Sequence, residues 1–326
     1  MLGALFVSNT GTALQIATQA WFVWELSHRP VTVGLLGLVQ ATPLLGVPFF
    51  GGMLADRFSR RRLLLFTQSA LTLLSALMGS LALAGFLSVP LTLTFAGVLA
   101  SVSALDNPIR QVYLPSVVET KQQGRIVGLN ALTYNAGAIV GPALAGFLLP
   151  RVGVSWCFLF NALSYLGVIA WLLGGRAVPP RPVQASDKQK LNVGTYLWNT
   201  ASVRTLLVLV AVVSLLGRSY PTVLPMVVSR TWGNGAQTYG TLAALPGIGA
   251  ALAAVFVTWL LGAQKRTIPV WLGGALLGIA TVCVGMVESL LAVGIALVAI
   301  GGLATGTMTL LNARYSRRLP MRFVVV

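Results

Sequence analysis

Asp56 and Asp106 are the two acids that this chain sets among arginines. The first lies in Gly52-Met53-Leu54-Ala55-Asp56-Arg57-Phe58-Ser59-Arg60-Arg61-Arg62, where one acid and four arginines interrupt apolar sequence. The second opens Asp106-Asn107-Pro108-Ile109-Arg110-Gln111, with Pro115 just beyond. A carboxylate beside guanidinium groups can form directed ion pairs, meet a helix N-terminus or carry a proton. For Asp106 two partners are open, Arg110 one turn on or the arginines after Asp56, and so are two roles, a structural salt bridge or proton transfer. Covalent catalysis is not supported. No nucleophile, base and orienting acid can be assembled, and no Gly-Lys-Ser/Thr phosphate loop occurs. His28 is the single histidine, and Cys157 and Cys283 both fall in apolar runs, so no metal site, disulfide or cofactor is expected.

Other polar residues sit inside apolar runs at helical spacing. Ser8, Thr12, Gln15 and Gln19 step by four, three and four along one helix face. Such a face borders a cavity or hydrogen-bonds a neighbouring helix, and spacing alone does not choose. Gln15 and Gln19 are therefore candidate substrate contacts, as are Asn130 and Tyr134, which continue a face shared with Gly137. Ser214 and Arg218 share a face with Pro221, Thr222 and Pro225. Arg218 is the only basic residue within an apolar run, so it faces a cavity, snorkels or pairs with an acid such as Glu25. It is a substrate or gate candidate, with a structural ion pair as the other reading.

The elements that must position these residues are membrane helices. The chain is 56% hydrophobic and 9% charged, with a mean hydropathy of +0.84. A soluble domain is about a quarter charged, so a hydrated surface cannot be built from this composition and lipid must solvate the chain. Ten apolar segments span 2–25, 31–55, 63–86, 88–108, 125–149, 152–175, 204–228, 237–262, 267–287 and 289–311. The hydrophilic stretch 176–203, rich in proline and charge, reads as a linker between two halves, 1–175 and 204–311, with a basic tail 312–326. The net charge of +16 follows the crossing pattern rather than a nucleic-acid footprint. With the Asp56 loop inside, about 18 of the 22 basic residues are cytoplasmic, against Arg29, Arg151 and Arg230 outside. Both termini are then cytoplasmic. Met1 enters the first span with no basic residue before it, so no signal peptide is read and the start looks abrupt.

Three of these stretches resemble one family. The Asp56 loop is similar to the signature between the second and third helices of the major facilitator superfamily, G-x-L-x-D-R-x-G-R-R, with Gly52, Leu54, Asp56, Arg57, Arg60 and Arg61 matching and Ser59 in place of a glycine. Gly137-Ala138-Ile139-Val140-Gly141-Pro142-Ala143-Leu144-Ala145-Gly146 resembles the superfamily's antiporter signature, G-x-x-x-G-P-x-x-G-G, with Ala145 replacing one glycine. The Asp106–Arg110 element resembles the end of the fourth helix in the branch that includes the enterobactin exporter. Gly52, Asp56, Arg57, Arg60, Arg61, Asp106, Arg110, Gly137, Gly141, Pro142 and Gly146 are accordingly expected to act in gating and conformational change.

The resemblance implies an all-α major facilitator fold of twelve helices in two sets of six. Only ten segments are read here, six before the linker and four after it, so the last two are expected to be missing. In the family the acid matching Asp56 closes the inner side against the eleventh helix. The implied activity is secondary transport, not enzyme catalysis: export of a small amphipathic molecule, drug-like or siderophore-like, across the cell membrane by alternating access. Protons are the candidate coupling ion, although all six acids lie at span ends or in loops. The expected partners are the substrate and the bilayer, with no nucleic acid, and the chain is expected to act as a monomer. A truncated product without transport activity and a lysophospholipid transporter are the rival readings.

The crossing pattern is directly testable. After Cys157 and Cys283 are replaced by serine, Arg60→Cys is expected to react with an impermeant maleimide only in inverted vesicles, and Arg151→Cys only in intact cells. Labelling of both from one side overturns the topology.

Overall fold

The computed structural model describes residues 1–119, 122–174, 224–232, 235–262, 270–287 and 289–318, and the regular structure within them is helical. Helices α1 (Leu2–Ser27), α2 (Pro30–Arg57), α3 (Arg60–Leu83) and α4 (Val89–Ser116) follow one another through short connections. Gln123–Gly174 is one helical stretch broken only at Gly153, whose φ of 79° and ψ of 174° suit a residue without a Cβ. Its arms, 123–152 and 154–174, are α5 and α6. Residues 224–232 form α7, and α8 (Ala236–Gly262), α9 (Val270–Met286) and α10 (Leu290–Arg318) complete the described chain. The linker at 176–203, most of the seventh span with Ser214 and Arg218, and the tail from 319 lie outside the described residues.

Two expected boundaries move. The basic loop contracts to Phe58 and Ser59, because α2 continues through Gly52, Asp56 and Arg57 and α3 begins at Arg60. Asp106 does not end the fourth span. Helix α4 passes through Asp106, Pro108 and Pro115 to Ser116. A charge ends an apolar run in sequence, but a helix continues past it when the charge is satisfied within the bundle.

Packing divides the described residues into two compact units, one drawing on 1–174 and 224–244, the other on 245–318. In the first, α1 lies against the α5–α6 stretch, α3 against that stretch and α4, and α2 against α4. Apolar clusters fill this unit at three levels. Leu5, Leu64, Ile109, Tyr113, Ile126 and Leu172 form one, Leu71, Met78, Leu99, Phe158 and Tyr165 the next, and Ala20, Val23, Trp24, Val33 and Leu36 the third. In the second unit α9 packs on α10, and Gly249 and Gly301 bring α8 and α10 into backbone contact.

Polarity is arranged for lipid. Phe66 and Leu73 are 71% and 60% exposed, while Gln15, Gln19, Gln68, Ser75 and Asp106 are all buried. Five described helices have the length and composition to cross a membrane, and Gln123–Gly174, at 52 residues, is long enough to do so twice. Pro30–Leu44 of α2 and Leu272–Met286 of α9 are apolar stretches as well. Helix α1 stands outside that set, its hydropathy lowered by the polar residues that face its neighbours.

The antiporter-like glycines hold α5 against α1. A Cβ at Gly141 would lie 2.5 Å from Ala13 Cβ and 2.7 Å from the Leu14 amide nitrogen, and one at Gly137 would lie 2.9 Å from backbone atoms of Asn9 and Thr10. Gly128 on the same helix has nothing within 4 Å of that position. Gly141→Val is therefore expected to cost about 1–3 kcal/mol by forcing α1 and α5 apart. Gly128→Ala should stay within about 0.5 kcal/mol of the parent. Detergent-solubilised thermal unfolding of the two variants checks the contrast.

Candidate functional site

Helix α1 is the polar spine of the first unit. Its side chains form a buried seam with α3 and α6 and reach a buried ion pair on α4. The two regions share α1 and α3 but use different chemistry.

The seam is built on Gln15. Its Oε1 accepts hydrogen bonds from Ser75 Oγ at 2.8 Å and Asn161 Nδ2 at 2.5 Å. Asn161 Nδ2 also reaches the Tyr165 hydroxyl at 3.2 Å, and that hydroxyl is 2.9 Å from Thr12 Oγ1. One turn further along α1, Gln19 Oε1 accepts from Gln40 Nε2 at 2.9 Å, and Gln19 Nε2 donates to Met78 Sδ at 3.5 Å. Gly11 makes the closest approach possible, since a Cβ there would meet Asn161 Oδ1 and Ser164 Oγ at 2.5 Å. Gln15 and Gln19 are thus buried and joined to other helices, which is the hydrogen-bonding alternative for their face.

The ion pair is centred on Asp106. Its Oδ1 accepts from Thr67 Oγ1 at 2.6 Å and Gln68 Nε2 at 2.9 Å, and its Oδ2 accepts from Arg110 Nη2. Arg110 Nη1 donates to Asn9 Oδ1 at 3.3 Å, and Asn9 Nδ2 donates to Thr133 Oγ1 at 3.3 Å, so the cluster ties α1, α3, α4 and α5 together. Both charged groups are buried. Of the two partners open in the sequence, Arg110 is the one found. Donors on both carboxylate oxygens make this the geometry of a carboxylate held in place.

Other predicted residues are placed as follows. Arg61 donates from Nε to the Leu172 carbonyl at 2.8 Å and from Nη2 to Leu173 at 3.0 Å, so it caps the C-terminal end of α6. Arg60 is half-buried at the start of α3. The side-chain surroundings of Gly52, Asp56 and Arg57 lie outside the described residues, as do Ser214 and Arg218. Gly146 packs on Gln237 and Gly240 of α8, within the first unit. Pro142 lies within α5. Asn130 is half-buried, and its carbonyl accepts from Thr133 Oγ1 at 2.8 Å, whereas Tyr134 is 49% exposed. The structure brings Gln15 and Gln19 into one seam and Asp106 and Arg110 into one cluster.

Asn9, Thr67, Gln68, Ser75, Asn161 and Tyr165 were not among the predicted residues. A signal for those on α3 exists: Leu64, Gln68, Leu71, Ser75 and Met78 step by four, three, four and three, and all are buried. Among the described residues no group of three or more metal-binding side chains converges, and the two cysteines are not bonded to each other.

The family described as transmembrane secretion effector matches residues 2–324. The staphyloferrin A transporter of Staphylococcus aureus is 27% identical over 239 residues, which is 71% of this chain and 60% of the relative. The enterobactin exporter EntS of Shigella boydii is 26% identical over 263 residues, 77% of this chain and 61% of the relative. A multidrug resistance protein B homolog of Mycobacterium tuberculosis is 29% identical over 182 residues, 56% of this chain and 29% of the relative. The chain thus spans about 60% of the length of the first two. In fold it is similar to a bacterial homolog of the human lysosomal transporter Spinster, with a TM-score of 0.76 at 17% identity over 98% of this chain and 75% of that one. It is also similar to a D-xylose–proton symporter, with a TM-score of 0.69 at 15% identity over 97% and 83%.

The ion pair yields a test of its structural weight. Arg110→Ala leaves a buried carboxylate without its cation and is expected to destabilise the chain by about 3–5 kcal/mol. The double variant Asp106→Leu/Arg110→Leu removes both charges and should recover most of that loss. Unfolding measurements that put the double variant below the single one would remove the pair as the organiser of this cluster.

Proposed function

The chain belongs to the transmembrane secretion effector family of the major facilitator superfamily, and from that premise we propose that it is a multi-pass secondary transporter of the cell membrane that exports a small amphipathic molecule. The observation that carries the proposal is the inverted polarity of the first unit, apolar outside and joined inside by the Gln15 seam and the Asp106–Arg110 pair. A bundle sewn together in this way moves as a body, which alternating access requires. Drug-like or siderophore-like cargo is the substrate class in this reading. The names of the relatives support it: a staphyloferrin A transporter, an enterobactin exporter and a multidrug resistance protein.

In the proposed cycle the first unit rocks as one piece, and substrate binds near the membrane midplane. Asp56, Arg57, Arg60 and Arg61 gate the cytoplasmic side, and Arg218 meets substrate or closes a gate. Gly137, Gly141, Pro142 and Gly146 permit close helix contact during the movement. Coupling to protons belongs to the proposal, with the carrier placed away from Asp106, whose two oxygens are both occupied by donors. Both termini face the cytoplasm, and one chain suffices.

Vesicles containing only this polypeptide provide the test. A panel of amphipathic dyes and catecholate or carboxylate chelators is loaded, and flux is followed with and without an imposed pH gradient. Flux above empty vesicles is expected, accelerated by the gradient, and reduced about tenfold or more by Asp56→Asn and by Arg218→Ala at equal protein content, the loss of about 1.4 kcal/mol of selective interaction. No flux for any compound removes the transporter reading for this chain. Undiminished flux in both variants removes only their assigned roles.

A further inference from the structure

At the end of α1 remote from Asn9, the first unit carries an open cavity of about 770 Å³ that the buried seam does not use. Its wall includes Trp21 and Glu25 of α1, Pro150 near the α5–α6 break, and Gln237, Thr238 and Thr241 of α8. The size suits a drug-sized molecule, since ligand pockets run from about 300 to 1,000 Å³. Among the described residues that line the cavity Glu25 is the only ionisable one, and it is exposed. In a chain of net charge +16, this cavity therefore carries a local charge opposite to that of the whole.

Two basic residues near this wall in sequence, Arg151 and Arg230, have partners of their own. The Arg151 guanidinium lies 3.8 Å over the Phe147 ring and donates to the Phe147 carbonyl at 2.7 Å. Arg230 lies 5.7 Å over the ring of Trp24. Arg29 lies beyond the end of α1, which His28 closes with a φ of 48°. Among the described residues the only ion pair is Asp106–Arg110, which leaves the Glu25 carboxylate without a cation there.

The aromatic wall is fixed in place. Trp21 contacts the Tyr239 ring at a centroid distance of 5.5 Å, and the buried Tyr239 donates its hydroxyl to the Ala17 carbonyl at 3.1 Å. Trp21 and Glu25 stand one helical turn apart on α1 and both line the cavity, and an indole and a carboxylate in one wall attract organic cations through the ring quadrupole and the full negative charge together. We infer that this cavity binds organic cations, with Glu25 as the counter-charge and Trp21 as the aromatic wall. This goes beyond the transport reading, because equilibrium binding here requires no turnover.

The test uses the full chain in phosphatidylcholine nanodiscs and labelled tetraphenylphosphonium, with empty nanodiscs subtracted. Tetraphenylborate, of the same shape and opposite charge, reports partition into lipid. Saturable binding of the cation is expected. Glu25→Gln should weaken it about tenfold and Trp21→Ala several-fold, with Trp21→Phe keeping most of the affinity and tetraphenylborate insensitive to residue 25. Because Glu25 is exposed, the unfolding temperature of Glu25→Gln should match the parent. Saturable binding that is equal in the parent and Glu25→Gln overturns the assignment. That is also the result if Arg218 already neutralises Glu25, and absence of saturable binding overturns it too. Flux in the vesicle assay can persist under any of these outcomes, so the two readings fail separately.

Discussion

The first unit depends on one constraint: a polar group inside a lipid-solvated bundle must find its partner within the protein. Water outside a soluble domain would satisfy Gln15, Gln19 or Asn9 at little cost. Hydrocarbon offers nothing, so these residues reach across to α3, α4, α5 and α6. The cost of an unmade hydrogen bond, not the strength of any one that is made, fixes the register of α1 against its neighbours. Asp106 is the extreme case. Its burial is tolerable because Arg110, Thr67 and Gln68 converge on it.

Close backbone approach makes that convergence possible. Side chains as short as serine, asparagine and threonine bridge two helices only when the axes are near. Gly11 sits where α1 meets Asn161 and Ser164, and Gly137 and Gly141 sit where α5 meets α1. The glycines and the polar seam are therefore one device. Widening the helix gap at Gly141 would lengthen the Asn9–Thr133 bond on the same interface, so packing and hydrogen bonding would be lost together.

Much of this was legible from residue types, and the failures have physical causes. The apolar segments that hold the described helices and the glycine run could be read, and Arg110 was one of two partners open to Asp106, because hydropathy and i, i+4 spacing act locally. The resemblance to the superfamily rested on the same short signatures, and the family match over residues 2–324 shows the membership. Span ends were less legible. Hydropathy stops at Asp106, whereas the helix runs on to Ser116, because what permits the charge lies on α3, thirty-eight residues away in sequence from Asp106 at Gln68. Asn161 and Tyr165 escaped notice for the same reason, since a single asparagine in an apolar run does not announce that its partner is Gln15, 146 residues earlier. Arg61 belonged to a basic loop in sequence, yet α6 ends close enough for its carbonyls to take the guanidinium.

These contacts also limit how the first unit can move. Sliding α1 alone would break its bonds to Ser75, Asn161, Tyr165 and Arg110 at once, and hydrocarbon offers no donor or acceptor in exchange. Bending α5 away from α1 would separate the Gly137 and Gly141 contacts. The low-cost motions are those that keep α1, α3, α4, α5 and α6 together, so conformational change in this unit is carried by its boundaries and not by its interior. The residues free to change partners are then those at the helix ends. Arg61 sits on the last carbonyls of α6, and Glu25 lies near the last turn of α1 at the opposite end of that polar spine.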